Sequence, residues 1–448
     1  MFSRQFYSEL FIPCRYEDGI NHRVNAMTKF QKTTMSALVL CVLSIAITSA
    51  ESQAQNQEPN QPAHLKTIAP DKLKEDLDFL FKTIQETHPN MYAYISEEQH
   101  TAVRDELYRH FDHAMSVSEF YVYVQTAVYC LKDTHTRIEQ PSNFVMPPIT
   151  ESIRELGGRL KEILKNDECP KIETRYVPPP RKKEYTGPYS YHFFPEYDAC
   201  LMVVNSFGMP DEIGQYTKKF QETFKAIKDK GVTHLVIDVR ENHGGCGYIG
   251  DELLKYLAKK PFRQIERVEQ RIVPAFFELC ERYGLNIDKI MLDEYGIDLD
   301  GLKSKGDYKP GAIITGQGPF KNPHKPSDRC KGSIYLLIGE PTFSAGSNFA
   351  AAVKYFEIAT LIGQETSGQN DHYGQVVPIQ LPNSRLNGQV STAHFVTVGG
   401  VQDKGGVKPD YQISQKPEDT AKGVDTVLEF TLDLIRHGGT VSSIQSAN

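Results

Sequence analysis

The chain has 448 residues, with 50 Lys+Arg against 57 Asp+Glu, a formal charge of −7 and a mean hydropathy of −0.43. Those values exclude a disordered chain and a membrane-embedded one, and a pI near 6.1 without a long basic run excludes an electrostatic nucleic-acid binder. Length calls for two or three domains around a large core, and eight cysteines without a Cys-x-x-Cys pair exclude zinc ribbons and thioredoxin-like motifs.

Residues 37–47 read ALVLCVLSIAI, preceded by Lys29 and Lys32 and followed by small residues. A basic start, a short apolar stretch and small residues at a cleavage point make a secretory signal peptide, and the stretch is too short to span a bilayer. The basic start lies near Met27, so residues 1–54 are expected to be an over-called start plus signal. Cleavage near Ala50 or Ala54 leaves an exported chain, periplasmic or secreted, with no stable membrane span. Six cysteines remain (Cys130, Cys169, Cys200, Cys246, Cys280 and Cys330), and some could pair in an oxidising compartment.

Three helical patterns follow a polar linker. Residues 71–88 carry Leu73, Leu77, Leu80, Phe81 and Ile84 on one face and stop at Pro89. The second opens on Ser96-x-x-Gln99, a capping box, and the third on Ser116-x-x-Glu119. Short connections predict a small helical bundle over 65–138. Residues 139–192 are Pro-rich, a connector with one helix over 153–164. From Cys200 the pattern alternates: strand 201–204, helix 211–230, strand 234–240, a short helix 251–258 and a long insertion to about 332. Strand 333–339, helix 344–356, strand 358–363, strands near 376–381 and 391–398 and a last helix 424–435 complete an α/β domain over 193–438.

Three segments carry chemistry. In PTFSAGSNFAAAV (341–353) a buried strand runs into a small-residue helix at Ser344, where unpaired N–H groups favour an anion. That suits a serine nucleophile, while a plain helix N-cap is the commoner use of such a serine. In HLVIDVRENHGGCG (234–247) a strand runs into a glycine pair with exposed N–H groups. Third, Leu131-Lys132-Asp133-Thr134-His135-Thr136 places a histidine in a polar loop after the third helix.

Together these segments resemble the C-terminal-processing, or tail-specific, serine protease family in its tricorn-like branch, over roughly residues 70–436. Asp133-Thr134-His135-Thr136 is similar to that branch's Asp-Gly-His-Thr. The segment from Ile237 to Gly245 resembles the family's Asp-Leu-Arg-Asn-Asn-x-Gly-Gly, the segment around Ser344 its serine motif, and Gly406-Val407-Lys408-Pro409-Asp410 its closing Gly-Val-x-Pro-Asp. The resemblance implies a crotonase-like α/β core behind the helical bundle, with Ser344 as nucleophile and the Gly245 and Ala345 N–H groups as oxyanion hole. Gln369 stands where the dyad branch has its lysine and cannot take the serine proton. The tricorn-like pattern instead implies His135 as base with Asp403 as its orienting carboxylate, Glu241 or Asp133 being substitutes for Asp403. His372 is the alternative base, ahead of His243 and His394. The short, Pro-rich 139–192 stretch leaves no room for a full PDZ domain. A cysteine nucleophile at Cys246 and a metal site at His243 and Cys246 are the weaker readings. The expected protein is an exported serine endopeptidase acting on peptides or proteins through an acyl-enzyme, without metal or cofactor. Its rivals are an inactive relative that binds peptides or apolar ligands, and an esterase using the same site.

Overall fold

The computed structural model describes residues 67–438, apart from 143, 146, 148–149, 166–177, 181 and 283–284. The expected signal segment and its cleavage points lie outside the described residues, as does Cys169. No disulfide links the described cysteines.

The N-terminal helices are α1 (Pro70–Thr87), α2 (Glu97–His110) and α3 (Val117–Tyr129). α2 starts on the expected capping box, since Ser96 Oγ accepts from the Gln99 N–H and the Gln99 side chain accepts from the Ser96 N–H. Ser116 Oγ caps α3 by accepting the Glu119 N–H, without the reciprocal side-chain bond. A short pair of strands, β1 (Thr67–Ile68) and β2 (Met115–Ser116), ties the entry of α1 to that of α3. The helix expected inside the connector, α4 (Glu151–Leu164), packs on α2 and buries Ile153, Leu156 and Leu160 in the same core as Leu77, Val103 and Phe120. Its apolar face joins the bundle rather than a linker.

The main sheet has the order β13-β10-β9-β6-β5-β4. Its strands are β4 (Tyr189–Phe194), β5 (Ala199–Val204), β6 (His234–Asp238), β9 (Ser333–Ile338), β10 (Thr360–Gly363) and β13 (Tyr411–Gln412). All neighbours are parallel except the antiparallel pair β4–β5. Successive residues of β5 face opposite layers. Cys200, Met202 and Val204 pack under α5 (Ile213–Lys230), α6 (Gly247–Leu257) and α10 (Ala345–Tyr355), while Leu201 and Val203 meet α12 (Thr426–Arg436). Burial on both faces is why these strands read as continuous apolar runs. α11 (Pro417–Ala421) precedes α12.

A buried ion triad joins this sheet to α12. Arg240 forks onto both oxygens of Asp425 at 2.7 Å and onto Asp238 at 2.8 Å, and Asp425 also caps α12 through the Leu428 N–H. The fork geometry supplies the hydrogen bonds that a buried guanidinium requires.

The strands expected near 376–381 and 391–398 belong to a second sheet. β11 (Asp371–Gln380) and β12 (Asn387–Thr397) form an antiparallel hairpin, joined by β7 (Ile265–Arg271) and β8 (Ile313–Gly316). The stretch read as an insertion up to 332 therefore supplies two strands, and also α7 (Pro274–Arg282), α8 (Ile287–Tyr295) and α9 (Leu299–Lys305). β3 (Arg137–Ile138), directly after the His135 loop, pairs with β12 at Gly388 and Gln389.

Candidate active site

The serine turn is built from the parallel sheet. β9 ends at Ile338, and Thr342, fully buried, donates its hydroxyl to the Val239 carbonyl and accepts the Gly339 N–H. That pins the turn to the end of the neighbouring strand β6. Ser344 then takes φ +52 and ψ −126, and its side chain makes no capping hydrogen bond to α10. The helix N-cap reading of this serine is thereby set aside. A left-handed backbone at a non-glycine residue costs about 1–3 kcal/mol and is held only where surrounding structure imposes it. Here it turns the hydroxyl away from the helix, as in a strand-to-helix nucleophile turn.

The glycine loop lies against this turn. Asn242, fully buried, donates Nδ2 to the Val204 carbonyl, accepts the Gly244 N–H on Oδ1 and takes the Phe343 N–H on its backbone oxygen. One residue thus ties β5, the glycine pair and the serine turn together. Gly244 has φ +107, and a Cβ there would lie 2.7 Å from the Ser344 Cβ and 3.1 Å from the Ala345 nitrogen. Gly245, at φ +128, is bridged to Phe207. Neither the Gly245 nor the Ala345 N–H finds an acceptor among the described residues, so both are available to an anion at the start of α10.

His135 reaches the site from the bundle. Asp133 accepts the His135 N–H on one oxygen, and on the other the Thr136 N–H, the Ser391 hydroxyl at 2.6 Å and His88 Nε2 at 3.3 Å. Burial alone would raise this carboxyl, but these bonds and the His88 ring outweigh it and hold it well below the usual range. Gln389 donates to the His135 carbonyl, and the Ser391 N–H donates to Thr136 Oγ1. Strand β12 therefore clamps the loop on which the histidine sits. The His135 ring stacks on Phe343, centroids 4.7 Å apart, and stands 6.0 Å from the His372 ring.

Ser344, His135 and His372 line one cavity of about 40 Å³ together with Asn348, Gln264, Gln375, Glu294 and Phe395. Desolvation pushes His135 down to about 4 and His372 to about 3, so both rings are neutral at pH 7 and able to accept a proton. The Nδ1 atoms of both are shielded from water and have no hydrogen-bond partner among the described residues.

Residues 198–413 match the model of peptidase family S41. The chain is thus similar to family S41 over that segment. Mature CPAF is similar in structure, at 15% identity over 83% of this chain and 99% of that one, with a TM-score of 0.53. CPAF complexed with lactacystin gives 14% identity over 82% and 98%, TM-score 0.50. The photosystem II D1 C-terminal processing protease gives 14% identity over 83% and 98%, TM-score 0.40. At these identities the CPAF likeness shows a shared fold. No curated protein sequence matches the chain.

Within this fold the expected residues separate. Ser344, Ala345 and Gly245 meet at one turn, with His135 and His372 beside it. Asp403 is not brought to the His135 ring: its carboxylate is exposed and holds Lys408 at 3.0 Å and the Gly405 N–H at 3.1 Å. Asp133 lies on the His135 loop but grips its backbone, not its ring. His394 is engaged by Asp371 and Glu269, His243 is exposed, and Cys246 is buried in the main core. Among the described residues no group of three His, Cys, Asp or Glu side chains could hold a metal. No described helix is long and apolar enough to cross a membrane. The closing motif is structural at its end, where Asp410 accepts the Leu361 N–H of β10. Sequence reasoning missed Phe343 and the β12 clamp (Gln389 and Ser391). It noted Asn242 only as part of a flexible loop. A fully buried Asn between a strand and a glycine pair is the signal that could have marked it.

Proposed function

We propose that the protein is an exported serine endopeptidase that cuts peptide bonds through an acyl-enzyme on Ser344. The observation that carries this reading is the strained Ser344 turn, packed against Gly244 and facing a neutral histidine in one small cavity. His135 takes the hydroxyl proton as Oγ attacks the scissile carbonyl. The Gly245 and Ala345 N–H groups receive the resulting oxyanion, and the imidazolium then returns its proton to the leaving amine. Orientation of the base falls to stacking on Phe343 and to the Asp133-held backbone. Export to the periplasm or medium rests on the sequence of residues 29–54.

Fluorophosphonate labelling of the purified protein, with mass mapping of the adduct, tests this. Label on Ser344 that is lost in Ser344→Ala, and peptide turnover lost in His135→Ala, are the expected results. Turnover that survives His135→Ala but not His372→Ala would move the base to His372. N-terminal sequencing of protein expressed from the full chain should begin after Ala50 or Ala54, and retention of residues 29–54 would refute export by this signal.

The unpartnered His135 Nδ1 favours one rival, a relative that binds peptides without cutting them. A wild type that takes no label but binds peptides would select it. Faster turnover of esters with no peptide cleavage would select an esterase.

A further inference from the structure

Three amide side chains around the Ser344 cavity have no role in the chemistry above. Gln375 is 5% exposed, and among the described residues neither its Nε2 nor its Oε1 has a hydrogen-bond partner. Asn348, 8% exposed, leaves Oδ1 unpartnered, and Gln264, 7% exposed, leaves Oε1 unpartnered while its Nε2 donates to Gly247 O and Asp251. A buried amide without a partner forfeits its hydrogen bonds to water with no return, so several lining one cavity beside a candidate nucleophile need an explanation.

Their placement is imposed. Asn348 stands on the first turn of α10, its N–H donates to the Ser344 carbonyl, and both residues line the cavity. Gln375 has φ +55 in the middle of β11, and its carbonyl receives the Thr392 hydroxyl. Strain in a buried strand next to a candidate nucleophile is the kind that fold stability alone does not select. Behind them, Lys321 bridges Asp251 and Glu294, and Glu294 also lines the cavity. Burial, with Asp251 adding to it, raises the Glu294 carboxyl despite Lys321.

Resting on the peptidase reading, we propose that this cavity is the subsite for the side chain whose carbonyl Ser344 attacks, and that it selects a small side chain able to donate and accept hydrogen bonds, asparagine foremost. A volume of about 40 Å³ holds only a few heavy atoms. Gln375 offers both a donor and an acceptor, and Asn348 and Gln264 offer acceptors for an incoming amide N–H. A leucine side chain has the same branched outline as asparagine but satisfies none of them, and a site with buried polar groups rejects such an isostere strongly. A lysine or arginine is too long for the space.

The test uses a fluorogenic peptide library varied at that one position, on protein whose Ser344 takes a fluorophosphonate label. Wild type is expected to cut after Asn at least about tenfold more efficiently, in kcat/KM, than after Leu. Gln375→Leu should bring that ratio to within about threefold, and Asn348→Leu serves the same purpose if Gln375→Leu does not fold. A labelled wild type that shows no preference for Asn over Leu, whether it cuts both or neither, overturns the subsite alone, as does a preference for Lys or Arg. A wild type that takes no label and cuts no library member overturns the peptidase reading and the subsite with it.

Discussion

The ring of Phe343 lies against that of His135 at 4.7 Å between centroids and 25° between planes, and Phe343 is bonded directly to Ser344. The residue before the candidate nucleophile is thus the platform for the candidate base. Any shift of the serine turn moves the histidine's support with it. Phe343→Leu keeps bulk but loses the flat face, worth about 0.5–1.5 kcal/mol of stacking. We expect kcat to fall about tenfold while KM changes little, with labelling of Ser344 slowed but present. Steady-state kinetics with a single peptide substrate would check it.

Gly244→Ala is expected to be the most damaging single methyl in the site. The added carbon would sit 2.7 Å from the Ser344 Cβ at a backbone angle that alanine avoids. Turnover should drop by about a hundredfold, and unfolding should be easier by about 1–3 kcal/mol. Urea titration with parallel activity measurements reads both; normal turnover in the variant would mean the serine turn has slack.

Two carboxylates have opposite expected outcomes. Asp403 faces solvent and pairs with Lys408, so Asp403→Asn should leave kcat/KM within about threefold, in line with the small worth of exposed ion pairs. Asp133→Asn breaks a buried network that fixes the His135 loop and strand β12, and it should cost about 2–4 kcal/mol of stability and most of the activity. If Asp403→Asn were the inactive member of the pair, the orienting role would belong to Asp403 after all.

The pH dependence follows from the depressed histidines. His135 at about 4 and His372 at about 3 are neutral in the folded protein down to those values, whereas in the unfolded chain both take protons near the ordinary 6.5. Between pH 6.5 and about 4 the unfolded state therefore binds more protons, and stability is lost as pH falls through that window. Above 6.5 these groups contribute no pH dependence. The acid limb of kcat/KM should lie near pH 4 instead of near 6.5, provided the protein is still folded there. Kinetics from pH 3.5 to 8 with circular dichroism at each point would separate the two effects, and an acid limb near 6.5 would contradict the desolvated ring.

Replacing the buried Arg240 by Met should destabilise by about 3–5 kcal/mol, because Asp238 and Asp425 would be left buried without their cation. Labelling of Ser344 at low temperature should persist, since the triad fastens α12 rather than the site. A denaturant midpoint unchanged from wild type would show that the triad contributes nothing net.

How much of this was legible in the sequence depended on how local each signal was. The capping box at Ser96, the N-cap at Ser116 and the β5-α5-β6 unit are written in adjacent residues, and the elements form within a few positions of the expected bounds. The separate sheet was not legible. β7 and β8 lie in a stretch whose pairing partner, β12, is more than a hundred residues away from β7, and no local periodicity encodes which strands meet. For the same reason the serine, the glycine pair and the histidine could be singled out by residue type, yet Ser391 and Gln389 could not, because their function is to hold a loop from the other end of the chain. The amphipathic face of α4 was visible, but its docking partner α2 was not.

The clamp of β12 on the His135 loop has a consequence for when the protein can act. The segment that matches family S41, residues 198–413, contains Ser344 and both glycines but not His135. A chain clipped to that segment would carry the candidate nucleophile without the candidate base. On the proposed reading, the two halves of the candidate site meet only where β12 holds the His135 loop, so the bundle and the second sheet must be docked together for the site to be whole.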